Sequence, residues 1–437
     1  MIMKWFLFLI LASLPVYQIR FQIFGLPTTL LEVMIIILFV IWLIKKLKNK
    51  DWKLEIGNWG WLILVWLVIG LIAVFISPDK WLALGHWRAY FLEPIIFLII
   101  FLDLVKTEKD LNFVFYSLGL SALFCSIWAI GQKIFGGGMM SVETWQYPLK
   151  PTWRATGPFP HSNFLGLYLG PLSILFFGQF ITKIRKKIIV CNLWLIVFLL
   201  SITAIIFARS EGAILGIFAA LIFLAIVYQK TRKWTIFILA ILIFFIFVIS
   251  IICVNPRFNL YQSAICKNKM SAYFLEKITF KDLSLQLRLN IWQGTWQMIK
   301  THPFFGVGLR GYQKLIANYQ QPFFLPGVKK VISNEFHPYP HNLFLTLWAE
   351  LGILGLIIFL TILIKFFHDG FHKIIQTIRT YPNTPNIFHF SFLIFNLSAM
   401  VSLLIHGAFD TPYFKNDLAV LFWLIVGLMI VGSRTDF

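Results

Sequence analysis

His341 is the residue whose type and setting point most directly to chemistry. It closes NEFHPYPH, where a polar, proline-punctuated stretch enters a long apolar run, so its imidazole lies at a membrane boundary. A neutral imidazole near physiological pH can take a proton from a hydroxyl. Asn342 and His337 flank it as acceptor-side or supporting groups. Gly352 lies three helical turns, about 16 Å, further along the same face, with Gly355 beyond it. Small residues there allow another helix to pack closely beneath the histidine. The plainer reading is a boundary histidine held by the backbone over a packing face.

Five arginines could serve the same chemistry. Arg154 stands in PTWRATGPFPHSN, Arg209 opens RSEG, Arg288 and Arg310 lie in one long polar segment, and Arg88 sits inside an apolar run. A guanidinium offers a rigid fork of donors suited to phosphate oxygens, and several converging would cradle a diphosphate. Each has a structural alternative. Arg154 and Arg310 can be ordinary loop arginines, Arg209 can pair with Glu211, and Arg88 can pair with Glu93 or His86. Glu32 and Glu350, also within apolar runs, read as helix-pairing groups. The glycines of GVGLRG, at 306–311, lack the lysine and the strand context of a nucleotide loop. No histidine or carboxylate group has metal-ligand spacing, and the four cysteines show no C-x-x-C pair. No cofactor is expected.

The elements that must position these residues are membrane helices. The 437 residues are 59% hydrophobic and 18% aromatic, with mean hydropathy +0.81, which excludes a soluble multidomain protein. Apolar blocks near 3–19, 28–44, 59–76, 81–102, 111–131, 162–180, 188–208, 212–229, 234–254, 342–364, 387–407 and 417–432 give an all-α polytopic fold of about twelve spans in one domain, 1–437. The first block is taken as a retained span rather than a cleaved leader. The net charge of +20 speaks to topology, not to nucleic acid. Lysine and arginine clusters at 45–53, 183–187, 230–233 and 365–379 all fall on one side if the spans alternate, which makes that side cytoplasmic. The opposite face receives 132–161, 209–211, 408–416 and a long segment, 255–341, whose middle has helical periodicity ending at His302-Pro303. That segment reads as an ordered, partly helical loop or lid before span ten.

Four features together resemble the O-antigen ligase and O-antigen polymerase superfamily over most of the chain. They are the many-span layout with one large late loop, RATGPFPHSNFLG, RSEG, and RLNIWQGTWQMIKTHPFFGVGLRGY followed by HPYPHN. The ligase-type signature is His, then Asn, Ser or Gln, nine residues, Gly, two residues, then Gly, Thr or Tyr. His341, Asn342, Gly352 and Gly355 satisfy it. The resemblance implies an inverting, metal-independent glycosyltransferase in a bacterial inner membrane, its active site facing the periplasm or exterior. The donor would be an undecaprenyl-diphosphate-linked glycan, the acceptor a hydroxyl of a lipid, glycan or protein. His341 is then similar to the family's essential histidine, and Arg288, with Arg209 and Arg154, to its diphosphate-binding residues. Arg209-Ser210-Glu211-Gly212 stands where many members have Ser-Arg before a small residue. A polymerase of the same superfamily and a glycan transporter are the alternatives. A transporter, however, would be expected to carry charges along a central path.

Overall fold

The computed structural model describes residues 2–23, 26–50, 53–135, 154–184, 190–227, 233, 236–237, 240, 283–320, 323–324, 331–333, 339–380 and 387–433. His337 and the expected span at 234–254, save three of its positions, lie outside them. The described chain is almost entirely helical: α1 (Ile2–Ala12), α2 (Leu30–Asn49), α3 (Gly60–Ile76), α4 (Lys80–Trp87), α5 (Glu93–Leu104), α6 (Glu108–Phe135), α7 (Ser162–Ile184), α8 (Val190–Ala208), α9 (Glu211–Val227), α10 (Leu283–Thr301), α11 (Gly311–Leu315), α12 (Leu343–Thr380), α13 (Ile387–Gly407) and α14 (Asn416–Gly432). Two short antiparallel hairpins complete it, β1 (Arg20–Ile23) with β2 (Leu26–Thr29), and β3 (Phe323–Phe324) with β4 (Val331–Ser333).

Among the described residues, four stretches are long and apolar enough to cross a bilayer: Gly57–Ile76, Glu108–Phe135, Ser162–Lys183 and Leu343–Arg379. Ile2–Ala12, Leu193–Ala208, Glu211–Val227, Ser391–Gly407 and Asn416–Gly432 are apolar but shorter. The molecule is thus a helical membrane protein, and its described residues contain four such full-length helices where about twelve spans were expected of the chain. The shortfall has local causes. The block at 81–102 is divided into α4 and α5 by a π-helical turn, Arg88–Leu92, and α2 carries Glu32, Lys45 and Lys46 within its length. A helix of 17 residues such as α9 spans about 26 Å, just short of the hydrocarbon thickness.

Packing follows composition. The last helix, α14, is apolar on every side, and every residue of it except Ile430 is buried, so it forms the axis of the bundle against α2, α5, α12 and α13. A second group, α7, α8, α9 and α13, packs beside it, with α6 against α8. Outward faces stay apolar: Leu120, Phe124 and Ile127 on α6 are 61%, 51% and 57% exposed at helical spacing, as a lipid-facing stripe requires.

One end of the bundle gathers the cationic residues of the sequence clusters. There Lys46 pairs with Asp103 at 3.1 Å, Lys365 pairs with Asp369 at 2.9 Å, and the indole of Trp59 donates to Asp369 at 3.2 Å. The opposite end holds the start of α7, the α8–α9 turn, the start of α12 and the α13–α14 loop.

Candidate functional site

The site is built where four chain reversals meet. Asn342 caps α12, its Oδ1 accepting from Leu345 N at 3.0 Å, while its Nδ2 donates to Ala408 O at 2.9 Å. One side chain therefore both starts the helix and ties it to the loop after α13. Immediately before the cap, His341 takes a left-handed backbone (φ 49°), an uncommon conformation outside glycine. Its ring meets Tyr339 edge-on at 4.7 Å between centroids.

That posture directs Nδ1 of His341 toward Asp410, 3.6 Å from Oδ1. Asp410 is 2% exposed in its side chain and is held by Thr411 N at 2.8 Å and by Asn163 Nδ2 at 3.2 Å. Burial favours its neutral form, but the neighbouring His341 imidazole, then Lys415 and His406, hold the carboxyl below the usual range. Lys415 is lowered to about 8, chiefly by burial and against the pull of Asp410 and Asp417; Arg20 adds to the lowering. The Lys415 ammonium rests on the Phe164 ring at 3.4 Å. Burial likewise pushes the Tyr339 hydroxyl up. The 3.6 Å separation is longer than a formed hydrogen bond, a looseness common before substrate tightens a site.

The network continues into the arginines. Asn163 Oδ1 accepts from Arg154 at 2.5 Å, and Arg154 also donates to the carbonyls of Ala208 at 2.7 Å and Arg209 at 3.0 Å. Arg154 thus clamps the α8–α9 turn to the start of α7. Within that turn Arg209 is forced to φ 50° and is exposed, and no ion pair joins it to Glu211. Arg288, on α10, donates to Ser284 at 2.8 Å, while its buried Nε has no hydrogen-bond partner among the described residues.

The remaining candidates stand elsewhere. The Arg88 guanidinium is committed to Pro27 O at 2.9 Å, Glu32 at 3.1 Å and Glu93 at 3.2 Å, and Glu32 also caps α2 and accepts from Asn416 at 2.8 Å. Arg310 (φ 65°) gives its backbone N–H to Glu350 at 3.1 Å.

Gly352 differs from its expected role. It adopts φ 72°, ψ −176°, breaking α12, and the backbone at Phe304–Phe305, not another helix, fills the space a Cβ would take. The break frees Ala349 O to accept from Val307 N at 2.8 Å and Ile353 N to donate to Pro303 O at 2.9 Å. Its role is to dock the segment after α10 onto α12. At Gly355 a side chain would meet Leu351 of its own helix.

Asp410, Asn163, Lys415 and His406 were not singled out by the sequence reading. The short acidic-basic segment DTPYFKND between two apolar blocks is the signal that could have found Asp410 and Lys415, and Asn163 stands in the RATGPFPHSNFLG stretch that bears Arg154. Among the described residues no three histidine, cysteine or carboxylate side chains gather as a metal site.

Fold and site together define a helical membrane protein with a histidine–aspartate pair and nearby arginines at one end of its bundle. Residues 196–360 match the model of the O-antigen ligase family. The match takes in Arg209, Arg288, Arg310, His341, Gly352 and Gly355, and it supports ligase-type transfer in general. No curated protein matches the chain.

Proposed function

We propose that the protein transfers a glycan from an undecaprenyl-diphosphate-linked donor to an acceptor hydroxyl, with inversion and without a metal ion. The observation that carries this reading is the His341–Asp410 contact at 3.6 Å, set among arginines. With Nδ1 facing Asp410, Nε2 is the nitrogen that takes the acceptor proton. The acceptor oxygen then bonds to the anomeric carbon from the face opposite the diphosphate, whose C–O bond breaks. Arg209 and Arg288 stabilise the charge gathered on the departing diphosphate, and Asp410 stabilises the imidazolium. Arg154 positions Arg209 through its grip on the turn. Asn342 sets the posture of His341.

The face assignment rests on charge. Lys46 and Lys365 stand at the end opposite His341, and the positive-inside rule then turns the site away from the cytoplasm. The test is transfer from a purified polyprenyl-diphosphate oligosaccharide to a panel of lipid, glycan and peptide acceptors, with and without chelator. Chelator-resistant product on a lipid acceptor is expected. Elongated donor glycan alone would identify a polymerase, and no product on any acceptor despite donor binding would remove the transferase reading.

A further inference from the structure

A cavity of about 440 Å³ lies between the end of α1 and the last third of α6, within the usual range for a small-ligand site. Val16, Ile19, Phe124, Trp128, Pro158 and Phe159 line it. Its lining is mostly apolar, Ser13 and Gln18 being its polar members, and two donors in it, Trp128 Nε1 and Gln18 Nε2, are buried with no hydrogen-bond partner among the described residues. An indole N–H shut away from water without an acceptor is costly, so it marks a place where an acceptor atom belongs.

Three further observations identify the occupant. First, the cavity is continuous with the lipid-facing stripe, since lining Phe124 is 51% exposed and neighbouring Ile127 is 57% exposed. Second, Trp128 lies seven residues before the end of α6, about 10 Å from its terminus, the depth at which hydrocarbon gives way to headgroups. Third, Arg20 follows lining Ile19 in the chain, is exposed, and makes no ion pair among the described residues, which suits a phosphate. A chain in the cavity, an acceptor one layer below the headgroup and a phosphate near Arg20 describe an ester-linked lipid. An isoprenoid chain carries no carbonyl at that depth.

The cavity wall is also firm and shared. Gln132 Oε1 accepts from Thr156 N at 3.0 Å and Gly157 N at 2.9 Å, pinning to α6 the segment that bears Arg154 and Asn163 beyond. We propose that this cavity binds one acyl chain of an ester-linked phospholipid, whose carbonyl accepts a hydrogen bond from Trp128. The site rests on the membrane placement of the bundle and not on the transfer chemistry.

The test uses the full-length protein in nanodiscs with a diacyl phospholipid carrying a photoactivatable group in one acyl chain, followed by peptide mapping. Adducts are expected to concentrate on residues 12–19 and 124–128. An unlabelled diacyl lipid should compete roughly tenfold better than its diether analogue, the size of one buried hydrogen bond. Trp128→Phe, which keeps the ring and removes the donor, should erase that preference. Ala12→Phe, which fills the cavity, should abolish the adducts while labelling of lipid-facing α8 persists. Labelling spread evenly over all lipid-facing helices would overturn the proposal. So would equal competition by ester and ether lipids, or stronger competition by a polyprenyl phosphate. Because the readout is binding, its failure is distinct from failure of the transfer assay.

Discussion

Two arginine environments at one end of the bundle use the same side chain in opposite ways. Arg88 is enclosed by Glu32 and Glu93, each with a side chain 4% exposed, and by the Pro27 carbonyl. Arg209 and Arg288 are left with no carboxylate ion pair among the described residues, and Arg288 has a buried N–H without an acceptor. A guanidinium neutralised by two buried carboxylates holds helices together and has little left for a ligand. One held without a carboxylate partner keeps its charge available for an anion. Arg154 stands between these cases: its donors are used on backbone carbonyls and Asn163, and what it fixes is the turn that presents Arg209.

This contrast can be broken by substitution. His341→Ala should lower transfer about 10²–10⁴-fold with an unchanged melting profile, as expected for loss of a general base. Arg209→Lys and Arg288→Lys should each cost about 10²-fold in kcat/KM while the protein remains folded, measured with donor as the varied substrate. Arg88→Met should do the reverse. Leaving Glu32 and Glu93 uncompensated should cost about 3–5 kcal/mol, seen as a lowered Tm or loss of folded yield, whereas any protein recovered should bind donor normally. Retained stability with lost donor affinity would move Arg88 into the anion site.

Gly352→Ala is expected to cost about 1–3 kcal/mol, because alanine is strained at φ 72° and its Cβ meets the Phe304 carbonyl. Hydrogen exchange should show the loss concentrated at residues 303–310. The smallest effect concerns Lys415, whose folded-state pKa is lowered to about 8. Between pH 8 and the ordinary lysine range the unfolded chain binds more protons at this position than the folded one, so its contribution to stability rises with pH there. Lys415→Met should flatten that rise in Tm by a few degrees between pH 8 and 10.

What the sequence made legible was largely what depends on local chemistry. The helix expected before His302-Pro303 is α10, the glutamate five residues after Arg88 is one of its partners, and the apolar last block is a buried helix. What it concealed depended on distant chain segments. Glu32 reaches Arg88 from another helix, and nothing in either local segment pairs them. Asp410 lies 69 residues beyond His341 and is brought to it by the return of α13 alongside α12. Gly352 was legible as a small residue, but its positive φ reflects the segment at 303–307 docking against it, which periodicity cannot register. Among the described residues fewer full-length spans stand out than the apolar blocks for a related reason: hydropathy sees the blocks, not the π-helical turn or the charged helix ends that shorten them.

The most direct test of the account is donor turnover by parent and His341→Ala protein reconstituted at equal amounts in the same vesicles, with a polyprenyl-diphosphate oligosaccharide and the acceptor the parent uses. Release of polyprenyl diphosphate coupled to glycan transfer in the parent, with at least a 10²-fold loss in the variant and undiminished donor binding, is the expected result. Equal turnover by the two proteins would contradict the assignment of His341 as the group that takes the acceptor proton.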